Sequence, residues 1–224
     1  MGSFRLGKLE FGVKYAEISA MYCEPTLNQR AGSGALAEDF AWYIDIRMEE
    51  GDFVYELDEE ELAELDEGEE PFYESVSPRL YHNNGFGLEA VSSWKDLEGQ
   101  TLVWEDECNE DGEEAGFLYV FEHEDVTKGT IEILERHGTY FQIRWSGTAN
   151  VYWNEEYGED VPFAFEGEVR FTGILACSDV EFTEKEVRDA MQKYINMDEF
   201  VCESQTSHAI VGGMSYRWNY ISVE

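Results

Sequence analysis

Apolar and polar residues alternate along most of the chain, which is the pattern of strands with one buried and one solvent-facing side. In the segment FAWYIDIR at 40–47, four large apolar residues share one face, and Asp45 and Arg47 lie on the other. The pattern is clearest in 130–153, which we interpret as three strands separated by turns at His137-Gly138 and Ser146–Thr148. Alternation interrupted by turn residues predicts an antiparallel meander with one wet side.

The segment TEKEVRDAMQKYIN at 183–196 changes to a helical period. Thr183 and Glu186 are spaced as the N-cap and N3 residues of a capping box, and Phe182 and Val187 occupy the positions of a hydrophobic staple. Apolar residues then recur at spacings of three and four. These residues are Val187, Ala190, Met191, Tyr194 and Ile195. We therefore predict one amphipathic helix over 183–196 that packs on the sheet.

A weaker helical signal lies in ELDEEELAELDEGEE at 56–70, a segment with ten acidic and no basic residues. Asp58 and Glu61 fit a second capping box, and Gly68 is a natural helix end. Acids in the last turn oppose the helix dipole, and only a narrow apolar strip is present. The sequence therefore predicts a short acidic helix near 58–67 whose surface is mostly solvated.

Together these patterns predict a mainly β (α+β) fold. We expect an antiparallel sheet, curved or arranged as a sandwich or open barrel, with the helix 183–196 packed on it and the acidic helix at its rim. A single domain over 1–224 is favoured, because no linker rich in Pro, Ser or Gly interrupts the chain. The alternative is a division around SPRLYHNNGFG into 1–80 and 88–224.

The net charge of the chain limits its possible partners more than any other feature of the sequence. The 224 residues include 50 Asp and Glu against 15 Lys and Arg, a formal net charge of −35. Nucleic acids and anionic membranes are bound by clustered Lys and Arg, so the charge argues against both partners. The acids are also segregated, because neither the segment between Arg47 and Arg79 nor that between Lys95 and Lys128 contains a base. Such a one-sided negative field attracts a basic protein surface.

The chain lacks the sequence motifs of catalysis and cofactor binding. Its four histidines have no zinc-binding spacing, and we find no nucleophile elbow, phosphate-binding loop or dinucleotide fingerprint. Alignment of Gly112 with the conserved glycine of an EF-hand puts Leu118 where the loop needs a bidentate glutamate. We therefore predict no catalytic residue, no cofactor and no metal site, and a protein that is not an enzyme.

The cysteines and the N-terminal segment bear on the cellular compartment. Cys23, Cys108, Cys177 and Cys202 are far apart in the sequence and form no CxxC pair. The segment MGSFRLGKLEFGVKY lacks the apolar core of a signal peptide, and no apolar run is long enough to span a bilayer. We expect a cytoplasmic protein with reduced, mostly buried thiols.

These properties favour a non-enzymatic acidic binding protein that neutralises or regulates a basic protein partner. In composition alone, the chain resembles the immunity proteins that bacteria use against secreted toxins, and the resemblance implies a toxin, such as a nuclease with a basic cleft, as the partner. Acids of 56–70 and 105–114 would supply the electrostatic surface and nearby aromatic residues the anchors. The predicted contact residues are Glu59, Glu60, Glu61, Glu64, Asp66, Glu67, Phe72, Tyr73, Trp104, Glu107, Glu110 and Asp111.

Two other functions compete with this hypothesis, and the oligomeric state is open. The first alternative is a β-domain that binds a carbohydrate or another small molecule through exposed aromatic residues. Its candidate side chains are Trp94, Trp104, Trp145, Trp153 and Trp218. The second is a hydrolase with paired carboxylates, which requires two acids that converge in a pocket, at least one with a raised pKa.

Overall fold

A computed structural model describes residues 2–23, 40–54, 73–76, 78–82, 85–88, 91–105, 116–119, 123–151, 158–210 and 213–223. Within these ranges the chain is mostly antiparallel β-sheet with one α-helix, which confirms the predicted mainly β class. The strands are β1 (Ser3–Leu6), β2 (Leu9–Cys23), β3 (Phe40–Met48), β4 (Gly51–Val54), β5 (Tyr73–Val76), β6 (Arg79–His82), β7 (Thr101–Glu105), β8 (Gly116–Tyr119), β9 (His123–His137), β10 (Tyr140–Val151), β11 (Gly158–Ser178), β12 (Phe200–Ile210) and β13 (Gly213–Ser222).

The meander β9–β10–β11 confirms the alternating pattern but corrects one turn. His137 pairs with Tyr140 across the predicted turn at Gly138, whose φ of 63° suits glycine. The predicted turn at Ser146–Thr148 is wrong, because β10 runs through it without a break. Gly147 pairs with Gly129, and a Cβ on Gly147 would lie 2.0 Å from the carbonyl oxygen of Lys128. This glycine permits a close approach of two strands and does not mark a turn.

β11 pairs along both of its edges and joins the two ends of the sheet. One edge pairs with β10 and then with β13. The other edge pairs antiparallel with β1 over 163–166 and parallel with β2 over 170–177. The register with β2 shifts between Phe171 and Gly173, where β11 passes from the first set of neighbours to the second. β11 is therefore the strand that holds four other strands in place.

The sheet is strongly curved but does not close into a continuous barrel. The path β2–β3–β6–β8–β9–β10–β11 returns to β2 through the parallel pair. However, β3 and β6 share only three residue pairs, β6 and β8 four, and β8 and β9 three. The predicted curved, open architecture is thus confirmed. Strands from before and after residues 78–88 belong to the same sheet. The single-domain organisation of the whole chain stays a prediction.

Aromatic side chains fill the inside of the curved sheet. Trp42, Trp145 and Trp218 are each at most 1% exposed. Trp94, in a 3₁₀ turn over Trp94–Leu97, stacks on Phe171 with ring centroids 4.9 Å apart. Burial of such large rings is the main stabilising contribution, and it offsets the self-repulsion of a highly charged chain.

The helix α1 (Glu184–Met191) covers one end of the sheet and is shorter than predicted. Thr183 and Glu186 form the predicted capping box. After Met191 the chain turns, because Arg188 donates hydrogen bonds to the carbonyl oxygens of Met197 and Phe200 at 2.6 and 2.9 Å. The apolar stripe nevertheless continues into the core, since Ile195 is buried.

Two further results concern helices. The predicted acidic helix near 58–67 lies outside the described residues. In the ranges given above, no helix is long and apolar enough to cross a membrane.

We predict that Gly173→Ala destabilises the protein by about 3 kcal/mol or more. Gly173 has a φ of 113°, and a Cβ there would lie 2.0 Å from the carbonyl oxygen of Tyr220 on β13. Gly99→Ala is the matched control, because Gly99 also has a positive φ, 83°, but nothing lies within 4 Å of a Cβ. Urea unfolding should give a cost of only about 1–2 kcal/mol for the control. Equal costs would show that the close approach to β13 does not matter.

We also predict that Thr183→Ala lowers the free energy of unfolding by about 1 kcal/mol through loss of the helix cap. Thr206→Ala, on the exposed part of β12, should change it by less than about 0.5 kcal/mol. Hydrogen bonds from the Thr183 backbone and hydroxyl hold the pKa of Glu186 below its usual value. The associated stabilisation is therefore present above that usual value and is lost as the pH falls through the lowered pKa. Urea titrations of both variants at neutral and acidic pH measure these effects.

Candidate functional site

The acidic run 56–70 connects the two strands of a ribbon. β4 pairs with β5 from Gly51–Val76 to Val54–Tyr73, and this two-stranded sheet continues the pair β3–β6. The chain leaves the ribbon after Val54 and returns at Tyr73. Of the predicted contact residues, Tyr73 lies at the start of β5. Those in 59–72 lie outside the described residues.

The second acidic run interrupts the strand that lies beside β9, which it divides into β7 and β8. β7 and β8 pair with the same edge of β9, with Glu105 opposite Lys128 and Phe117 opposite Asp125. β9 has one extra residue at this point, because the consecutive residues Thr148 and Ala149 on its other edge pair with Lys128 and Val126. β7 and β8 would therefore run on directly from Glu105 to Gly116, where the sequence has residues 106–115. Trp104 lies on β7 opposite Gly129. The predicted contact residues Glu107, Glu110 and Asp111 lie outside the described residues.

The ends of the two acidic runs are attached to neighbouring strands. β6 pairs with β3 on one edge and with β8 on the other, and β5 precedes β6 in the chain. Residues 55–72 join the sheet through the ribbon, at the Arg79 end of β6. Residues 106–115 join β8 at Gly116, which lies opposite His82 at the other end of β6. The two segments are thus attached to neighbouring strands, in the part of the sheet that is joined by only three or four residue pairs, but toward opposite ends of β6.

The base of the ribbon is held by an ion pair. Arg79 donates two hydrogen bonds of 2.7 Å to the carboxylate of Asp45, and these bonds raise the pKa of Arg79. Arg47 reaches the same carboxylate at 3.3 Å. The Arg79 guanidinium also lies 4.4 Å from the ring centroid of Tyr81. These contacts fix the direction in which the ribbon leaves the sheet, and they neutralise Asp45 locally.

The aromatic residues that the carbohydrate hypothesis needs are largely in the core. Trp94, Trp145 and Trp218 are at most 1% exposed, so their faces cannot stack on a sugar ring. The Trp104 side chain and all of Trp153 lie outside what the structure describes. The alternative function therefore loses three of its five candidate side chains.

The described residues also bear on metal binding and acid–base catalysis. Among them, no group of three or more His, Cys, Asp or Glu side chains could hold a metal ion. Glu186 has a shifted pKa, but the shift is downward, whereas a general acid needs a raised pKa. The geometry of the described residues gives no support to a paired-carboxylate hydrolase.

Sequence reasoning missed a pair of thiols. Cys23 and Cys177 occupy directly paired positions on the parallel strands β2 and β11, and both are half-buried thiols. Cys202 is half-buried as well. The pairing could not be found from spacing, because it depends on which distant strands become neighbours.

No protein-family model, curated protein or solved structure matches the chain.

We predict that the segment 106–115 can be removed without loss of the fold. Direct joining of Glu105 to Gly116 should leave the free energy of unfolding within about 1 kcal/mol of the original, because alternation then keeps Leu102 and the buried Leu118 on the same face. Replacement of 106–115 by a single threonine is the control, since it shifts β8 by one residue and turns Leu118 outward. Chemical unfolding distinguishes the two variants. Equal stability of both would contradict the register described here.

Proposed function

We propose that the protein is a non-enzymatic acidic binding protein that neutralises or regulates a basic protein partner. The observation that carries the proposal is the presence of two base-free acidic runs, 56–70 and 105–114, next to neighbouring strands of the sheet. A partner that contacts both runs would extend along β6, because the runs are attached toward its two ends. The predicted contact residues in the two runs would supply most of the attraction.

The distribution of basic residues supports the same proposal. Every Lys and Arg except Arg30 lies in the described part of the chain, and the two acidic runs contain none. At the base of the ribbon, Arg47 and Arg79 are engaged with Asp45. The acids of the runs therefore have no base within their own segments to neutralise them. An unneutralised acidic surface raises the rate of association with a basic partner and weakens as salt is added.

The partner class that best fits this electrostatic surface is a protein with a basic cleft, such as a nuclease toxin. A phosphate-binding cleft attracts carboxylates for the same reason that it attracts nucleic acid, so the acidic runs would mimic the charge of the substrate. An inhibitor of this kind resembles the immunity proteins in principle. We propose the cytoplasm as its location, on the sequence argument alone.

The test compares three full-length proteins as bait in the native cytoplasm. One is the original chain, and one has the nine acidic residues among the predicted contact residues changed to Gln and Asn. The third has the same number of exposed acids changed elsewhere, starting with Glu10, Glu135 and Glu168. We expect the original and the third protein to retain the same basic protein, and a salt gradient to release it. The second protein should not retain it.

The third protein separates local arrangement from net charge, because it has the same net charge as the second. Loss of the partner from both variants would assign the binding to net charge alone. Retention by the second variant, or binding that high salt does not weaken, would contradict the proposal.

A further inference from the structure

Three reactive side chains meet on the outer face of the sheet. Cys177 on β11 pairs with Cys23 on β2 along one edge and with Arg217 on β13 along the other. Tyr22, Ala176 and Trp218, the sequence neighbours of these residues, are buried on the inner face. Alternation therefore directs the two thiols and the guanidinium to the outside. Arg217 is exposed, and both thiols are half-buried.

The spacing of the two thiols suits a covalent bond between them. Neighbouring strands lie about 4.7–4.9 Å apart. The Cα atoms of disulfide-bonded cysteines lie about 4.4–6.8 Å apart. Because Cys23 and Cys177 are direct partners in the parallel register, a bond between them leaves the pairing of β2 and β11 in place.

The surroundings of Cys177 favour its thiolate. A hydrogen bond from the Cys23 side chain, together with the positive charge of Arg217, lowers the pKa of Cys177 against the opposing effect of burial. Cys202 provides a contrast within the same chain, because burial and then the charge of Glu184 raise its pKa. Cys177 is the more deeply buried of the two, so a faster reaction of Cys177 would come from its chemistry and not from its access to solvent.

Tyr43 on β3 completes the cluster. Burial raises its pKa, and the neighbouring sulfur atoms of Cys23 and Cys177 add to the effect. The phenol therefore stays neutral beside the thiols at physiological pH. Arg217 is then the charged group that stabilises a thiolate at this position.

We propose that Cys23 and Cys177 form a redox-active dithiol that exchanges with small-molecule disulfides and closes a cross-strand disulfide between β2 and β11. The proposal rests on the register of the three strands and is independent of the acidic runs. It assigns the outer face at the β2–β11 pair a chemical activity that the binding function does not need.

The reaction takes place in two exchange steps. The Cys177 thiolate attacks one sulfur of the small-molecule disulfide, a mixed disulfide forms at Cys177, and the first thiolate leaves. Cys23 then loses its proton to solvent, and its thiolate attacks the Cys177 sulfur and displaces the second small thiolate. Two protein thiols are oxidised, and one disulfide is reduced to two thiols. An excess of a small dithiol reverses both steps.

Oxidised glutathione is the probe for the test, applied to the folded full-length protein at pH 7. Peptide mapping by mass spectrometry without reduction should find the Cys23 and Cys177 peptides linked. Cys202→Ser, the control, should form the same link. Cys23→Ser should stop at the first step and accumulate glutathione on Cys177. Arg217→Gln should slow the first step, and Arg217→Lys should restore much of the rate.

A second measurement keeps the proposal falsifiable if a serine variant is unstable. In the unmodified protein, iodoacetamide should label Cys177 at least about tenfold faster than Cys202 at pH 7. Circular dichroism checks that every protein compared is folded. Labelling of Cys202 as fast as Cys177, or no link between the Cys23 and Cys177 peptides after exposure to oxidised glutathione, would overturn the proposal.

Discussion

The pairing of β11 with its four neighbours is the interaction on which the rest of the structure depends. Its first half holds β10 and β1, and its second half holds β13 and β2. The change of partners occurs at Gly173, where the carbonyl oxygen of Tyr220 approaches too closely for any side chain. From this strand follow the curvature of the sheet, the position of α1 over one end and the outer face that bears the thiols.

The two regions with proposed functions use different parts of this framework. The acidic runs are attached where the sheet is thin, along β3–β6–β8, and the ion pair between Arg79 and Asp45 fixes the ribbon there. The dithiol lies at the parallel pair β2–β11, among strands joined over many residues. Loops attached to a sheet can change in length and charge without loss of the fold. The juxtaposition of Cys23 and Cys177, in contrast, depends on the strand register and is lost if the register changes.

Local features of the fold were predictable from the sequence, and non-local ones were not. Alternation found the strands of the meander, and the spacing of Thr183 and Glu186 found the start of α1, because both depend on neighbouring residues. The end of α1 depends on bonds from Arg188 to the chain beyond it. Gly147 was misread as a turn because its requirement comes from Lys128 on the adjacent strand. The same limit hid the juxtaposition of Cys23 and Cys177. The acidic runs could be recognised as candidate segments, but their attachment to neighbouring strands follows only from the strand order.

The parallel pair between β2 and β11 has a consequence for synthesis of the chain. Thr172 and Ile18, which are hydrogen bonded across this pair, are 154 residues apart. At translation rates of about 5–20 residues per second, the free edge of β2 waits roughly 8–30 s for its partner to leave the ribosome. During that time Ile18 and Tyr22, which are buried in the finished protein, have no β11 to cover them. The edge of β2 is therefore open to incorrect strand pairing until translation of β11 is complete.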